Sequence, residues 1–200
     1  MGATLQKTAK VKAFKTSFIY IQVPLKIAKE LEAIINVYFP SKKTDLPCPP
    51  YPLKQSRMPA KQMHITLLSG VKGSAIDVAS RLRDMDYDLM FASVSHAQKS
   101  FKVWTEDISY WSDDKRDTVF FPCATDDRNI HRLKHVLQEC LTVREQEQQF
   151  VPHVTGVFCK RGKSVKRITK GNYKKKRANE SWKVDHIVIN DGYEKVKLTF

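Results

Sequence analysis

Two short stretches of this 200-residue sequence decide its fold: Met63-His64-Ile65-Thr66-Leu67 and Pro152-His153-Val154-Thr155. Each places a histidine and a threonine two positions apart among apolar or β-branched residues, which is the alternation of a β-strand. Because successive strand side chains point to opposite faces, the histidine and threonine of each stretch project from the same face. We therefore predict two strands that each present an imidazole and a hydroxyl on one side.

The segments around these two strands repeat in the same order. Hydrophobic periodicity predicts a strand at 17–23, a helix at 24–38 and a strand at 63–68, then a strand at 118–123, a helix at 127–141 and a strand at 153–158. A duplicated strand-helix-strand unit would place the two motif strands symmetrically, facing one another across a cleft. The sequence thus predicts an α+β fold of two lobes, with antiparallel sheets around a central cleft.

Further elements complete the predicted domain. We expect a helix after Ser74, strands near 88–93 and 99–108, a loop or insertion at 40–59 that is rich in proline, and strands at 182–189 and 194–200 joined through Asn190-Asp191-Gly192. Asp126 or Asp127 is expected to cap the second helix of the duplication. Residues 1–16 are basic and predict a flexible tail, so that residues 17–200 form a single bilobal domain.

Two imidazoles and two hydroxyls in one concavity suit phosphodiester chemistry that needs no metal. One neutral imidazole can accept a proton from the attacking oxygen, and a protonated one can donate a proton to the leaving oxygen. His131 and His135 share a helix face but lack a third ligand, and the four cysteines lie far apart without a C-x-x-C pair. We therefore expect reduced thiols, and neither a metal nor another cofactor.

The paired H-x-[ST] motifs of a duplicated α+β chain resemble the two-histidine (2H) phosphoesterase superfamily. Its members cleave RNA 2′,3′-cyclic phosphates, 2′-5′ linkages or RNA 3′ ends. The resemblance implies that His64 and His153 are the catalytic acid and base, and that Thr66 and Thr155 hold the phosphate oxygens. Gly156 departs from the family pattern, because an apolar residue is usual there, and so do the proline-rich insertion before the first motif and the basic insertion after the second.

The resemblance leaves the branch of the superfamily open. His64-Ile65-Thr66-Leu67 resembles the cyclic-phosphodiesterase and 2′-5′ phosphodiesterase branch. The segments 18–37 and 114–123 are instead similar to the enzymes that trim the 3′ end of spliceosomal small nuclear RNA. We therefore expect an RNA phosphodiesterase. The sequence does not determine which linkage it cleaves, or which of the two histidines is the acid and which is the base.

Charge points to the same class of partner. The formal net charge is +14, and the segment 160–177 supplies ten basic residues and no acid. Its candidate RNA-binding residues are Lys160, Arg161, Lys163, Lys166, Arg167, Lys170, Tyr173, Lys174, Lys175, Lys176 and Arg177. Two alternatives remain: a non-catalytic RNA-binding protein that uses this segment, and a nuclear import role for residues 174–177.

The partner that we expect is RNA or a short oligonucleotide. Tyr51, Tyr110, Trp111 and Tyr173 are candidates for stacking on its bases. No apolar run approaches the roughly 20 residues that span a bilayer, and the first 15 residues lack the apolar core of a signal peptide. The sequence therefore predicts an intracellular monomer, in the nucleus or the cytoplasm, that does not bind membranes.

Overall fold

A computed structural model describes residues 15–40, 56–86, 100–141, 143, 150–162, 168 and 176–200. Its strands are β1 (Thr16–Gln22), β2 (Ser56–Arg57), β3 (His64–Lys72), β4 (Phe101–Thr105), β5 (Ser109–Ser112), β6 (Arg116–Thr125), β7 (His153–Lys160), β8 (Trp182–Val184), β9 (His186–Asn190) and β10 (Lys195–Thr199). Its α-helices are α1 (Leu25–Tyr38), α2 (Ala75–Asp84) and α3 (Asn129–Cys140), with short 3-10 turns at Ala60–Gln62 and Asp126–Arg128.

These strands form one curled antiparallel sheet in the order β10-β9-β1-β3-β7-β6-β4-β8, with β2 paired to β7 and β5 paired to β6. The strands β10, β9, β1 and β3 make up the first lobe, and β7, β6, β4, β8 and β5 make up the second. The two motif strands β3 and β7 join the lobes through the pair Ile65–Val154. The predicted α+β fold with a duplicated unit is confirmed.

The helices cover one face of the sheet and bury its alternate apolar side chains. Ile65 and Val154 are both fully buried on this face. Helix α1 packs on β7 and α3 packs on β3, so each helix of the duplication covers the motif strand of the other lobe, while α2 packs on β9 and β10. The two lobes are therefore interlocked through a shared core and are not two separately packed units.

Gly156 lies where α1 packs on β7. A Cβ atom built on Gly156 would lie 2.4 Å from Ile35 Cδ1 and 3.0 Å from Ile35 Cγ1. Contacts that short require the buried Ile35 side chain, the helix or the strand to shift. The Ile35 side chain therefore occupies the volume that an apolar residue after the second motif would fill, which explains why this chain departs there from the family pattern.

The predicted strand at 182–189 is wrong as a single element. Asp185 divides it into β8, which pairs with β4 of the second lobe, and β9, which pairs with β1 of the first lobe. Trp182 and Val184 are buried, and so are Ile187 and Ile189. The buried positions thus change from even to odd numbers at Asp185, and this phase shift is the sequence signal of the break.

The second helix of the duplication begins differently from the prediction. Asp126 and Asp127 belong to a 3-10 turn, and α3 starts at Asn129 without a side-chain cap on its N-terminus. Asp127 and Arg128 both adopt left-handed backbone conformations, with φ of 51° and 55°. The side-chain Nδ2 of Asn129 donates to the backbone carbonyl of Asp126 at 2.9 Å and stabilises this turn.

Other predicted elements agree with the structure where it describes them. Ser74 forms a capping box with Asp77 at the start of α2, and the β9–β10 hairpin turns through Asp191–Glu194 with Gly192 at φ 90°. Strands β2 and β5 were not predicted. The expected strand near 88–93, residues 1–14 of the expected tail and most of the proline-rich insertion lie outside the described residues.

The described helices include none that is long and apolar enough to cross a membrane. Cys123, Cys140 and Cys159 are buried, reduced thiols, and Cys48 lies outside the described residues. Burial raises the pKa of the Cys123 and Cys140 thiols, so both remain protonated and unreactive near neutral pH.

Candidate active site

The two H-x-T motifs lie side by side on the face of the sheet that the helices leave uncovered, here called the cleft face. Since Ile65 pairs with Val154 and both point toward the helices, the flanking His64, Thr66, His153 and Thr155 point the other way. The antiparallel register places His64 across from Thr155 and Thr66 across from His153. The two histidines are then diagonal neighbours, which in such a pair lie about 7–8 Å apart.

Both imidazoles are held in the same way by backbone carbonyls. His64 Nδ1 lies 2.6 Å from the carbonyl oxygen of Gln62, and His153 Nδ1 lies 2.7 Å from that of Val151. A carbonyl oxygen only accepts hydrogen bonds, so each Nδ1 carries the proton and donates it. Each ring is therefore fixed in one tautomer, and Nε2 is the nitrogen that can accept or donate a proton in chemistry.

The electrostatic environment favours the neutral form of His64. Burial lowers the pKa of His64 below its usual value, and the nearby His153 and Lys195 lower it further, against the opposing hydrogen bond to Gln62. At neutral pH the Nε2 atom of His64 then carries a lone pair. Such a group can accept a proton from an attacking oxygen.

Each histidine also contacts an aromatic ring from the neighbouring strand of its own lobe. The Tyr20 ring lies 4.8 Å from the His64 ring, and the Phe120 ring lies 5.3 Å from the His153 ring. The two aromatic residues occupy equivalent positions in the β1–β3 and β6–β7 pairs, because Tyr20 pairs with Thr66 and Phe120 pairs with Thr155. A β-bulge precedes each of them. The bulges turn both rings toward the motif strands at equivalent places.

Trp111 of β5 adds an exposed aromatic surface in the second lobe. Its ring lies 4.6 Å from the His153 ring and 4.1 Å from the Phe120 ring, and 39% of its surface is exposed. Of the other stacking candidates, Tyr110 packs partly buried against the core, while Tyr51 and Tyr173 lie outside the described residues.

Several groups on the first-lobe side were missed by the sequence analysis. Phe18 stacks on Tyr20 at 5.2 Å, and Asn190 of β9 forms a hydrogen bond with the Tyr20 side chain. Beyond them, Lys195 and Lys197 are exposed on β10. The alternation of these lysines with the more buried Val196 and Leu198 predicts that they share one face of a strand. Their position near His64, however, depends on the pairing of β9 with β1, which the sequence does not reveal.

The structure does not bring the start of the basic segment to the histidines. Lys160 and Arg161 are exposed at the far end of β7, about 23 Å along the strand from His153. The end of the segment returns beside β5: the carbonyl of Lys176 accepts from the Ile108 amide at 2.8 Å, and Arg177 Nε lies 3.9 Å from Asp107 Oδ1. Lys163, Lys166, Arg167, Lys170, Lys174 and Lys175 lie outside the described residues.

The part of the chain that the structure describes contains no group of three His, Cys, Asp or Glu side chains arranged to hold a metal ion. His131 and His135 are exposed on α3, where His135 Nδ1 lies 4.0 Å from Glu139 Oε1.

The fold has counterparts among solved structures. A crystal structure of a phosphoesterase is 15% identical, with a TM-score of 0.52 over 93% of this chain and 95% of that chain. E. coli LigT complexed with 3′-AMP is 14% identical, with a TM-score of 0.54 over 94% and 96%. Kluyveromyces marxianus Usb1 with uridine monophosphate is 9% identical, with a TM-score of 0.56 over 93% and 99%.

No family model and no curated protein matches the chain by sequence. The likeness to LigT and Usb1 nevertheless extends over nearly the whole of each chain, including both lobes. The chain therefore has the fold of the two-histidine (2H) phosphoesterases.

Proposed function

We propose that this protein is a metal-independent phosphodiesterase that acts on RNA or a short oligonucleotide. The observation that carries the proposal is the matched pair of imidazoles on the cleft face, each bonded through Nδ1 to a backbone carbonyl two residues earlier. Two Nε2 atoms on one face can serve a single phosphate, one as base and one as acid. The fold that the chain shares with known phosphoesterases supports the same reaction class.

The roles of the two histidines follow from their surroundings. His64, whose pKa is lowered, takes the proton from the attacking oxygen, which belongs to a ribose hydroxyl or to water. His153 then gives a proton to the leaving oxygen. The hydroxyls of Thr66 and Thr155, each across the strand pair from one of the histidines, hold the non-bridging phosphate oxygens as charge develops on them.

A nucleic acid substrate is supported by the aromatic side chain next to the second histidine and by the charge of the chain. Trp111 offers a face on which a base can stack beside the phosphate. LigT and Usb1 have been solved with nucleotides, 3′-AMP and uridine monophosphate. The candidate linkages are a 2′,3′-cyclic phosphate, a 2′-5′ linkage and an RNA 3′ end.

In this proposal the basic segment 160–177 contributes to RNA binding and not to the cleavage itself. Its exposed Lys160 and Arg161 lie too far from His153 to act on the scissile phosphate, so these two residues would contact the RNA backbone outside the cleft. We further propose that the domain, in which β1 begins at Thr16 rather than after a tail at 1–16, is monomeric and intracellular.

A substrate panel tests the reaction. The purified protein is incubated in EDTA with cyclic-phosphate-ended RNA, 2′-5′ oligoadenylate and an oligouridylate tail, and the products are separated by ion-exchange chromatography. We expect cleavage of one of these classes, a bell-shaped pH dependence of kcat/KM, and cleavage by His64→Ala/His153→Ala that is slower by about 10²-fold or more. Turnover by the double variant at close to the wild-type rate would reject the proposed mechanism.

The same panel examines the alternative of a non-catalytic RNA-binding protein, which the ten basic residues of 160–177 favour. That alternative predicts no turnover on any substrate, with RNA affinity that falls steeply as salt rises. Glutamine substitutions at Lys160 and Arg161 would then weaken RNA binding, whereas substitutions of the two motif histidines would leave it intact.

A further inference from the structure

The outer strands of the first lobe carry positive charge that the proposed reaction does not use. Lys195 and Lys197 are exposed on β10, and their alternation with the more buried Val196 and Leu198 places them on the side of the sheet away from the helices. The two lysines are therefore on the cleft face, together with the motif histidines.

The registers of the first lobe connect these lysines to His64. Lys195 pairs with Asn190 of β9, and Asn190 pairs with Phe18 of β1. The ring of Phe18 lies 6.0 Å from the ring of His64. Three strand spacings of about 4.8 Å separate the backbones of β10 and β3, so the lysines lie on the same face as His64 but outside the place of the reacting phosphate.

The positive charge on this face is balanced by little negative charge nearby. None of the four strands of the first lobe contains an acidic residue. Within the described residues, Lys195 and Lys197 form no salt bridge; the Asp185 carboxylate bonds to His186 Nδ1 at 2.6 Å and also attracts Lys197 from a greater distance. The charge of Lys195 reaches far enough to help lower the pKa of His64.

We propose that Lys195 and Lys197 form a second phosphate subsite, which binds the phosphate next to the scissile one in an oligonucleotide. The lysines are about 7 Å apart along β10, so together they can follow a strand that leaves the catalytic centre over Phe18 and Asn190. This inference rests on the proposed function and specifies its substrate class: a chain of at least two phosphates, in preference to a single nucleotide.

Binding measurements test the subsite without requiring turnover. His153→Ala serves as the parent protein so that cleavage does not interfere, and fluorescence anisotropy follows a 5′-fluorescein-labelled hexauridylate at several salt concentrations. Adding Lys195→Gln and Lys197→Gln should weaken binding about tenfold and should reduce the slope of log K against log salt by about 1.4, the value for two lost single-strand phosphate contacts.

A matched variant controls for net charge. Lys29→Gln/Arg83→Gln in the same parent removes two positive charges from α1 and α2, on the other side of the sheet, and should leave hexauridylate affinity within about twofold. Uridine 3′-monophosphate, used as a competitor, has one phosphate, and the lysine substitutions should change its affinity less than that of the hexamer. Lys195→Arg/Lys197→Arg should restore hexamer binding.

Three results would overturn the subsite: no hexamer binding by the parent, equal losses in the lysine variant and the helix control, or equal losses for the hexamer and the mononucleotide. Thermal unfolding followed by circular dichroism shows whether each variant keeps the parent's fold. If the glutamine pair loses that fold, the binding of the arginine pair is compared with that of the parent instead. Failure of the proposed reaction is read separately, from the substrate panel with unsubstituted histidines.

Discussion

The two lobes are nearly alike at their motif strands and differ at the strands around them. In both, a half-buried histidine is bonded to the carbonyl two residues earlier, a half-buried threonine follows, and an aromatic residue after a β-bulge contacts the histidine ring. Outside this repeat, the second lobe adds Trp111 on β5 and the first lobe adds Lys195 and Lys197 on β10.

This difference separates two requirements of the proposed reaction. Proton transfer at a phosphate needs one base and one acid, and a repeated motif supplies both from the same local structure. An RNA strand has unlike ends, so recognising its direction needs unlike neighbours on the two sides. The aromatic surface beside His153 can stack on a nucleotide base on one side of the reacting phosphate. The cations beyond His64 can bind a further phosphate on the other side.

The largest expected effect comes from removing either half of the repeated pair. His64→Ala and His153→Ala should each lower kcat/KM by about 10²–10⁴-fold, and the double variant should be little worse than the poorer single one, because base and acid act in one reaction. Steady-state kinetics on the cleaved substrate measures all three. His135→Ala, on the exposed side of α3, is the control and should keep wild-type activity.

Independent, multiplicative losses in the double variant would contradict this expectation. Such losses would indicate that the two lobes serve separate sites and that the symmetric pair does not act on one phosphate.

The next largest effect is on the free energy of unfolding, and it comes from the packing of α1 on β7. Gly156→Ala places a Cβ atom 2.4 Å from Ile35 Cδ1, and overpacking of this kind costs about 1–3 kcal/mol of unfolding free energy. Urea denaturation measures the loss. In an Ile35→Ala background the same glycine substitution should cost less, because the side chain that it meets is gone; an equal cost in both backgrounds would contradict the packing argument.

The exposed aromatic surface of the second lobe should contribute to binding but not to proton transfer. Stacking of one base is worth about 1–3 kcal/mol, so Trp111→Ala should raise KM by roughly tenfold and change kcat less. Trp111→Phe keeps an aromatic face and should recover most of the affinity. A fall in kcat at unchanged KM would instead mean that Trp111 acts by positioning His153.

The smallest effect is a shift of the pH profile by the first lobe's lysine. The cation Lys195 lowers the pKa of His64, so Lys195→Gln should raise that pKa. Since His64 must be neutral to act as base, the acid limb of kcat/KM against pH should move to higher pH. A shift to lower pH, or a shift of the alkaline limb alone, would assign the base role to another group.

Much of this arrangement could be predicted from local sequence patterns. The alternation around His64 and His153 is short-range, so both motif strands and the shared face of each His–Thr pair were predictable. The capping of α2 by Ser74 and the hairpin at Gly192 also depend only on neighbouring residues. For the same reason the duplicated order of elements could be read before any pairing was known.

Other features depend on contacts between distant segments. The clash that excludes a side chain at Gly156 comes from Ile35 in another element, and the proximity of Lys195 to His64 passes through β9 and β1. Strand β5 is only four residues long, so its alternation is too short to predict a strand. At Asp185 the buried positions change from even to odd numbers, and this change marks the break between β8 and β9 that a continuous strand at 182–189 ignores.

The crossing of the chain at Asp185 has a consequence for how the protein is made. Strand β1, near the start of the chain, is hydrogen-bonded to β9 near its end, and β10 follows only after that. During synthesis the first lobe therefore waits with an open strand edge until β9 and β10 have left the ribosome. Folding of this lobe is then intrinsically slow, and a nascent chain stopped before His186 would be a target for chaperones or self-association.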